Sequence, residues 1–195
     1  MNNTEIKEII RYHINNKMIL NIERIFCNET DITQGFPIII SKQLLLMTVI
    51  NDFHDEGFAI LKLSDISDAY SKESEVFYEK ICISENIGTK IPDYIKDITD
   101  LRSVVKQLQN YKGYVSIQCE NQIETCSFYL GKIDAVEQDG VIFRDIDTDG
   151  VWDDEVHKIL YDKITKITFE DYYSKMYYKY TAADISHLNK DQSDV

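Results

Sequence analysis

The feature that most constrains this chain is an internal similarity at a separation of about 97 residues. The stretch Ile60-Leu61-Lys62-Leu63-Ser64-Asp65-Ile66-Ser67-Asp68-Ala69 lies opposite Lys158-Ile159-Leu160-Tyr161-Asp162-Lys163-Ile164-Thr165-Lys166-Ile167 with its apolar positions in step. Upstream, Leu44 to Ile50 lies opposite Val141 to Asp147, and an acidic loop follows each. Downstream, Val76-Phe77-Tyr78 has its counterpart near Ser174-Lys175-Met176. A chain repeated in this way folds as two copies of one small unit.

Periodicity gives the unit its content. Ile6, Ile9, Ile10 and Ile14 recur at helical spacing after Thr4, and Leu101, Val104, Val105 and Leu108 do so behind a Thr99 cap, with Gly113 expected to end that helix. Beyond Gly113 the chain alternates as half-buried strands: Tyr114 to Gln118, Phe128 to Val136, Val141 to Ile146, His157 to Tyr161 and Thr165 to Phe169. Asp139-Gly140 is the best hairpin signal. The expected fold class is α+β, mainly β, as two tandem small β-barrel units, each introduced by a helix. Pro92 marks the join, so the halves run 1–90 and 91–181, followed by a polar tail, 182–195.

The glycine of Tyr129-Leu130-Gly131-Lys132-Ile133 gives the second half a resemblance to the Sm-like barrels, within the broader SH3-like class. Gly131-Lys132-Ile133-Asp134-Ala135-Val136-Glu137 resembles the first Sm motif, and Ile159-Leu160-Tyr161-Asp162-Lys163-Ile164 is similar to the second. The resemblance covers some 55 residues of the second half and, more faintly, the same part of the first. It implies RNA binding, but the residues that carry that activity depart from the family pattern. The loop after the first motif is Gln138-Asp139-Gly140, without the family's asparagine. Leu160-Tyr161, or Lys62-Leu63 in the first copy, replaces the Arg-Gly pair.

Charge points the same way. Thirty-four acids against 21 bases leave a net charge of −13, which repels phosphate backbones and attracts a basic protein. The longest apolar run, near Leu44 to Ile50, is far below the roughly 20 residues that span a bilayer, and Met1-Asn2-Asn3-Thr4 has no leader character, so no membrane partner and a cytoplasmic location are expected. Cys27, Cys82, Cys119 and Cys126 form no CxxC pair and are expected to be reduced structural thiols.

Two loops are the candidate protein-binding site: Asp52, Phe53, His54, Asp55 and Glu56 in the first copy, and Asp149, Trp152, Asp153, Asp154 and Glu155 in the second. Carboxylates around an aromatic ring suit the capture of a basic partner. Trp152 either projects from its loop or folds back to cap the barrel end. Asp145, Asp147 and Asp149 form the DxDxDG opening of a calcium loop, but the twelfth position is Val156, so a solvated acidic turn is favoured and no metal is assigned. Tyr173, Met176, Tyr177 and Tyr180 share one face of an expected closing helix.

No GxSxG, HExxH or phosphate-binding glycine loop occurs, and His13, His54, His157 and His187 share no ligand spacing; a Cys126–His157 pair is the one weak catalytic candidate. The expected function is therefore non-catalytic binding, without a cofactor. The acidic loops would engage a basic protein, one concrete form being a toxin-immunity protein. An Sm-like nucleic-acid-binding protein and an enzyme with an unrecognised site are the alternatives.

Overall fold

The computed structural model describes residues 2–120 and 127–181. The first half runs α1 (Asn3–Asn16), β1 (Leu20–Phe26), β2 (Glu29–Gly35), β3 (Pro37–Ile40), β4 (Leu44–Asn51) and β5 (His54–Lys62). A 3-10 turn at Leu63–Asp65 then leads to β6 (Ile66–Tyr70) and α2 (Glu75–Ser84). The second half runs α3 (Leu101–Leu108), β7 (Val115–Cys119), β8 (Ser127–Val136), β9 (Gly140–Asp145), β10 (His157–Leu160), β11 (Lys166–Phe169) and α4 (Tyr172–Thr181). The fold is mainly β, as expected. Among the described residues no helix is long and apolar enough to cross a membrane.

The helices start where side chains can hold their first amides. Asn2 and Glu5 form a capping box on α1, whose Ile6, Ile10 and His13 turn inward. On α3 the cap is Asp100, whose carboxylate accepts from Ser103 N at 2.7 Å, while Thr99 is engaged by Asp97 instead. That helix stops at Leu108, before Gly113. Leu101, Val104, Val105 and Leu108 form its buried face, as their spacing requires. Val76-Phe77-Tyr78 and Ser174-Lys175-Met176 both lie on helices, α2 and α4, which close their respective halves.

The strands form two antiparallel sheets, ordered β2-β1-β6 and β10-β9-β8-β7-β11-β5-β4-β3. Strand β2 runs into β3 through Phe36, whose carbonyl accepts from Thr48 N at 2.9 Å, so the bend carries the chain from one sheet to the other. With β2 and β3 counted as one bent strand, each half contributes its fifth, first, second, third and fourth strands in that spatial order. The halves meet where β5 pairs with β11, Leu61 opposite Lys166 through Phe58 opposite Phe169.

This corrects the expectation of two closed barrels. Neither sheet closes, and the eight-stranded one draws strands from both sides of residue 90. Alternation in sequence tells which face a side chain takes; it does not tell which strand lies along a free edge. The continuous apolar run of β4 has the same origin. Leu45 and Met47, with Ala59 and Leu61, enter the core under α1, whereas Leu44 and Leu46, with Phe58 and Ile60, enter the core under α3. Strands β4 and β5 are buried on both faces because the second half packs on the first.

Where the internal match is tightest, its apolar positions are buried in both halves. Leu61 and Ile159, Ile66 and Ile164, and Ala69 and Ile167 are buried pairs 98 residues apart. Upstream the register is one residue different from the sequence match. Leu45 pairs with Leu61 and Val141 with Ile159, so Leu45, rather than Leu44, is the counterpart of Val141. A bulge sits at matching points of the second strand in each half, between Pro37 and Ile39 and between Ile133 and Ala135.

Candidate functional site

The acidic loop of the second half is built around an aspartate turn. Asp147 Oδ1 accepts from Asp149 N at 2.9 Å and Val151 N at 2.8 Å, and Gly150 at φ +80° completes the reversal. Asp145 Oδ1 accepts from Leu130 N at 2.7 Å. Two of the three carboxylates of the DxDxDG motif are therefore directed at backbone amides. The potential ligand atoms that do gather, within 4.8 Å of one another, belong to Asp145, Asp153 and His157, with His157 Nε2 at 2.9 Å from Asp153 Oδ2. Burial pushes the Asp145 carboxyl above the usual aspartate range against the pull of the Leu130 and Ile146 amides and of His157.

Trp152 takes the second of its two expected positions. It folds back, 9% exposed, bridges to Ile146, and meets Tyr114 edge-on at a centroid distance of 5.3 Å. Its carboxylate neighbours do not follow it: Asp147, Asp149, Asp153, Asp154 and Glu155 are all exposed, together with Val151 and Val156. The exposed rings beside this loop come from α4. Asp171 caps that helix by accepting from Ser174 N at 2.8 Å, and Tyr177 donates its hydroxyl proton to Thr148 O at 2.9 Å, tying helix to loop.

The inner face of α4 differs from the expected one. Ser174 and Thr181 are buried, and Tyr177 and Tyr178 pack on the cluster of Tyr114, Leu130, Ile146 and Trp152. Tyr172, Tyr173 and Tyr180 are left 64%, 46% and 69% exposed, and Phe128 lies edge-on to Tyr173. Hydroxyl-bearing rings at every turn allow several equally spaced stripes, and the small residues Ser174 and Thr181 decide which one approaches the sheet.

In the first half the loop narrows to a two-residue turn. Asp52 and Phe53 both have positive φ, 45° and 62°, the geometry of a tight hairpin that normally selects Asn-Gly. Phe53, 43% exposed, packs on Tyr78 of α2 with ring centroids 4.4 Å apart and planes tilted by 36°, and its amide donates to the Tyr78 hydroxyl at 3.2 Å. Asp55 Oδ1 accepts from Gly57 N, and Asp55 also lies 4.0 Å from the Lys90 ammonium; His54 is exposed and Glu56 half-buried. Each acidic loop therefore lies against the closing helix of its own half.

Two further arrangements lie between the halves, and sequence reasoning gave no sign of either. Arg24, fully buried on β1, donates to Asp31 (2.5 Å) and Glu120 (2.8 Å), with Lys166 Nζ 3.7 Å from Asp31. A cleft of about 760 Å³ is lined by Lys42, Lys62, Asp100, Arg102, Tyr161 and Asp162, among others. Within it Lys62 Nζ donates to Tyr161 O at 2.8 Å and Asp162 O at 3.0 Å. Cys82 and Cys119 are buried, and burial pushes the Cys119 thiol up to about 11. Cys126 of the Cys126–His157 candidate, His187 and the tail 182–195 lie outside the described residues. No family model, no curated protein and no solved structure matches the chain.

Proposed function

We propose that this chain is a non-catalytic binding protein that engages a basic protein through the acidic, tyrosine-bearing surface formed by residues 147–156 and the outer face of α4. The observation that carries this reading is the meeting of the exposed acidic loop, with Asp149, Asp153, Asp154 and Glu155, and α4, where Thr148, Asp149 and Gly150 line one hollow together with Tyr177 and the exposed Tyr180. Tyrosines supply rigid apolar contact area with a polar tip, and surrounding carboxylates steer a cationic partner into place. The first-half loop, with Phe53 held on Tyr78 among Asp52, His54, Asp55 and Glu56, is a second and smaller contact of the same chemistry. One concrete form is an immunity protein covering the cationic active site of a nucleic-acid-cutting toxin. Capture of basic proteins at low salt, set against the Asp153→Asn/Asp154→Asn/Glu155→Gln and Tyr180→Ala variants, tests it. Binding that weakens with salt and with both variants supports the reading; no basic partner, or variants that bind like the parent, overturns it.

A second reading takes each half as an Sm-like unit, a view supported by the spatial order of the five strands and by a glycine at the same point of each second strand. On that reading the cleft between the halves, where Lys42, Lys62 and Arg102 come together, holds single-stranded nucleic acid. The net charge of −13 and the Asp100 and Asp162 carboxylates in the same cleft weigh against it. A mobility-shift titration with single-stranded RNA decides: no shift at low salt removes this alternative.

A further inference from the structure

We propose that Asp145, Asp153 and His157 form a binding site for a transition-metal dication, Zn2+ foremost, at the root of the second acidic loop. Their potential ligand atoms lie within 4.8 Å of one another, and a borderline dication is the class that takes an imidazole nitrogen together with carboxylate oxygens. The site is distinct from the DxDxDG turn, whose Asp147 carboxylate is engaged by the amides of Asp149 and Val151. It needs no partner protein and does not rest on the basic-partner reading.

The backbone brings the three donors together. The bridge between Ile146 and Trp152 and the bond from Asp153 N to Asp145 O at 3.1 Å set Asp153 directly opposite Asp145. His157 faces Phe143, two residues from Asp145 on the same side of β9. The chain therefore advances from Asp153 to His157 while β9 covers only Asp145 to Phe143, and the excursion of Asp154, Glu155 and Val156 gathers both donors over one stretch of strand. On the other flank Asp145 faces Gly131 of β8, which puts no side chain beside it. Leu130 N holds one carboxylate oxygen of Asp145 at 2.7 Å, and the Tyr129 ring packs on the His157 imidazole with centroids 5.4 Å apart, so two of the three ligands are oriented from behind.

Charge is the second reason. Like charges directly opposite each other on neighbouring strands are destabilising, yet among the described residues no lysine or arginine is ion-paired with Asp145 or Asp153. What Asp153 has is the 2.9 Å contact of its Oδ2 with His157 Nε2. A dication neutralises both carboxylates and takes the place of the hydrogen that joins Oδ2 to Nε2. Donors about 2.1 Å from one ion stand roughly 3–3.5 Å apart, so binding draws the trio inward, with the exposed Asp153 the one to move. Three protein ligands leave a coordination position for water or for a donor from a bound molecule.

The test is calorimetric titration of Zn2+ into the metal-free full chain, set against Asp153→Asn, His157→Ala, Asp154→Asn/Glu155→Gln and Cys27→Ser. The parent, the double variant and Cys27→Ser are expected to bind one equivalent alike. Since loss of even a group behind a ligand costs about tenfold or more in affinity, Asp153→Asn and His157→Ala should lose at least that much. The Asp153 and His157 side chains are 57% and 37% exposed, so both variants keep the fold, which circular dichroism checks. Co2+ is the second arm: its complex should lack thiolate charge-transfer absorption, and it should quench Trp152, the chain neighbour of Asp153. A parent that binds no Zn2+, Asp153→Asn and His157→Ala proteins that bind like the parent, an equal loss in Asp154→Asn/Glu155→Gln, or a thiolate band with Co2+ overturns the proposal.

Discussion

Gly35 and Gly131 occupy the same place in the two halves: a Cβ on Gly35 would lie 1.9 Å from the carbonyl oxygen of Thr48, and one on Gly131 would lie 2.0 Å from that of Arg144. Thr48 and Arg144 are themselves counterparts, 96 residues apart like the glycines. At both points the second strand bends so closely over the third that no side chain fits, and what is met is paired backbone, which cannot swing aside as a side chain would.

Gly131→Ala and Gly35→Ala should therefore destabilise alike. Overpacking of this kind costs roughly 1–3 kcal/mol, and backbone contacts this close put both variants at the upper end. For a chain of this size each kcal/mol lowers the melting temperature by about 2–4 °C. Calorimetry on the two variants checks it, and a Gly35→Ala protein that melts with the parent while Gly131→Ala does not would break the equivalence of the halves.

Trp152, the only tryptophan, offers a separate measurement of the second half. Packed on Tyr114, Leu130 and Ile146, it should fluoresce at short wavelength, resist quenching by acrylamide, and shift red on unfolding. Trp152→Ala removes a buried ring and should cost about 3–5 kcal/mol. Tyr180→Ala, on a ring 69% exposed, should stay within about 0.5 kcal/mol of the parent. A Trp152 freely quenched in the native protein would place the ring outside, where the loop composition alone also allowed it.

How far the sequence could be read depends on what periodicity encodes. The faces of α1 and α3, the strands of the second half and the equivalence of Leu61 with Ile159 are all patterns of apolar residues, and such patterns report burial directly. The pairing of β5 with β11 was not legible, because edge pairing is made by backbone groups that every residue carries. Nor was the Arg24 cluster, whose members Asp31, Glu120 and Lys166 are scattered along the chain and read individually as surface charges. At the candidate site the acidic loops were visible as composition, but the sequence left two positions open for Trp152 and did not tell that α4 supplies the exposed rings beside the second loop. The clue lay in Ser174 and Thr181, small residues seven apart, which let α4 approach the sheet on that side and turn Tyr173 and Tyr180 outward.

The Arg24 cluster makes the junction of the halves sensitive to both mutation and acid. Arg24 has no exposed surface, so Arg24→Met leaves Asp31 and Glu120 facing each other with Lys166 as the remaining cation, and loss of one partner from such a buried set costs about 3–5 kcal/mol. Adding Glu120→Gln to that variant should restore part of the loss, since it removes a carboxylate left without its guanidinium. For Asp31, burial raises the carboxyl pKa, but Lys166 and Arg24 together outweigh it and hold the group below its ordinary 3.8. A carboxyl depressed in the folded state contributes stability that is complete above the unfolded value and drains away as pH falls through the folded one, so the loss begins below about 3.8. Lys166 acts in the opposite direction: burial, outweighing the attraction of Asp31, holds its ammonium below 10.5, so its contribution improves as pH rises toward that value. Urea unfolding followed from pH 2 to 10 reads both limbs. Asp31→Asn should flatten the acid limb and leave Lys166 still harder to keep charged, steepening the alkaline one; an acid limb unchanged in Asp31→Asn would show that the junction draws no stability from this carboxylate.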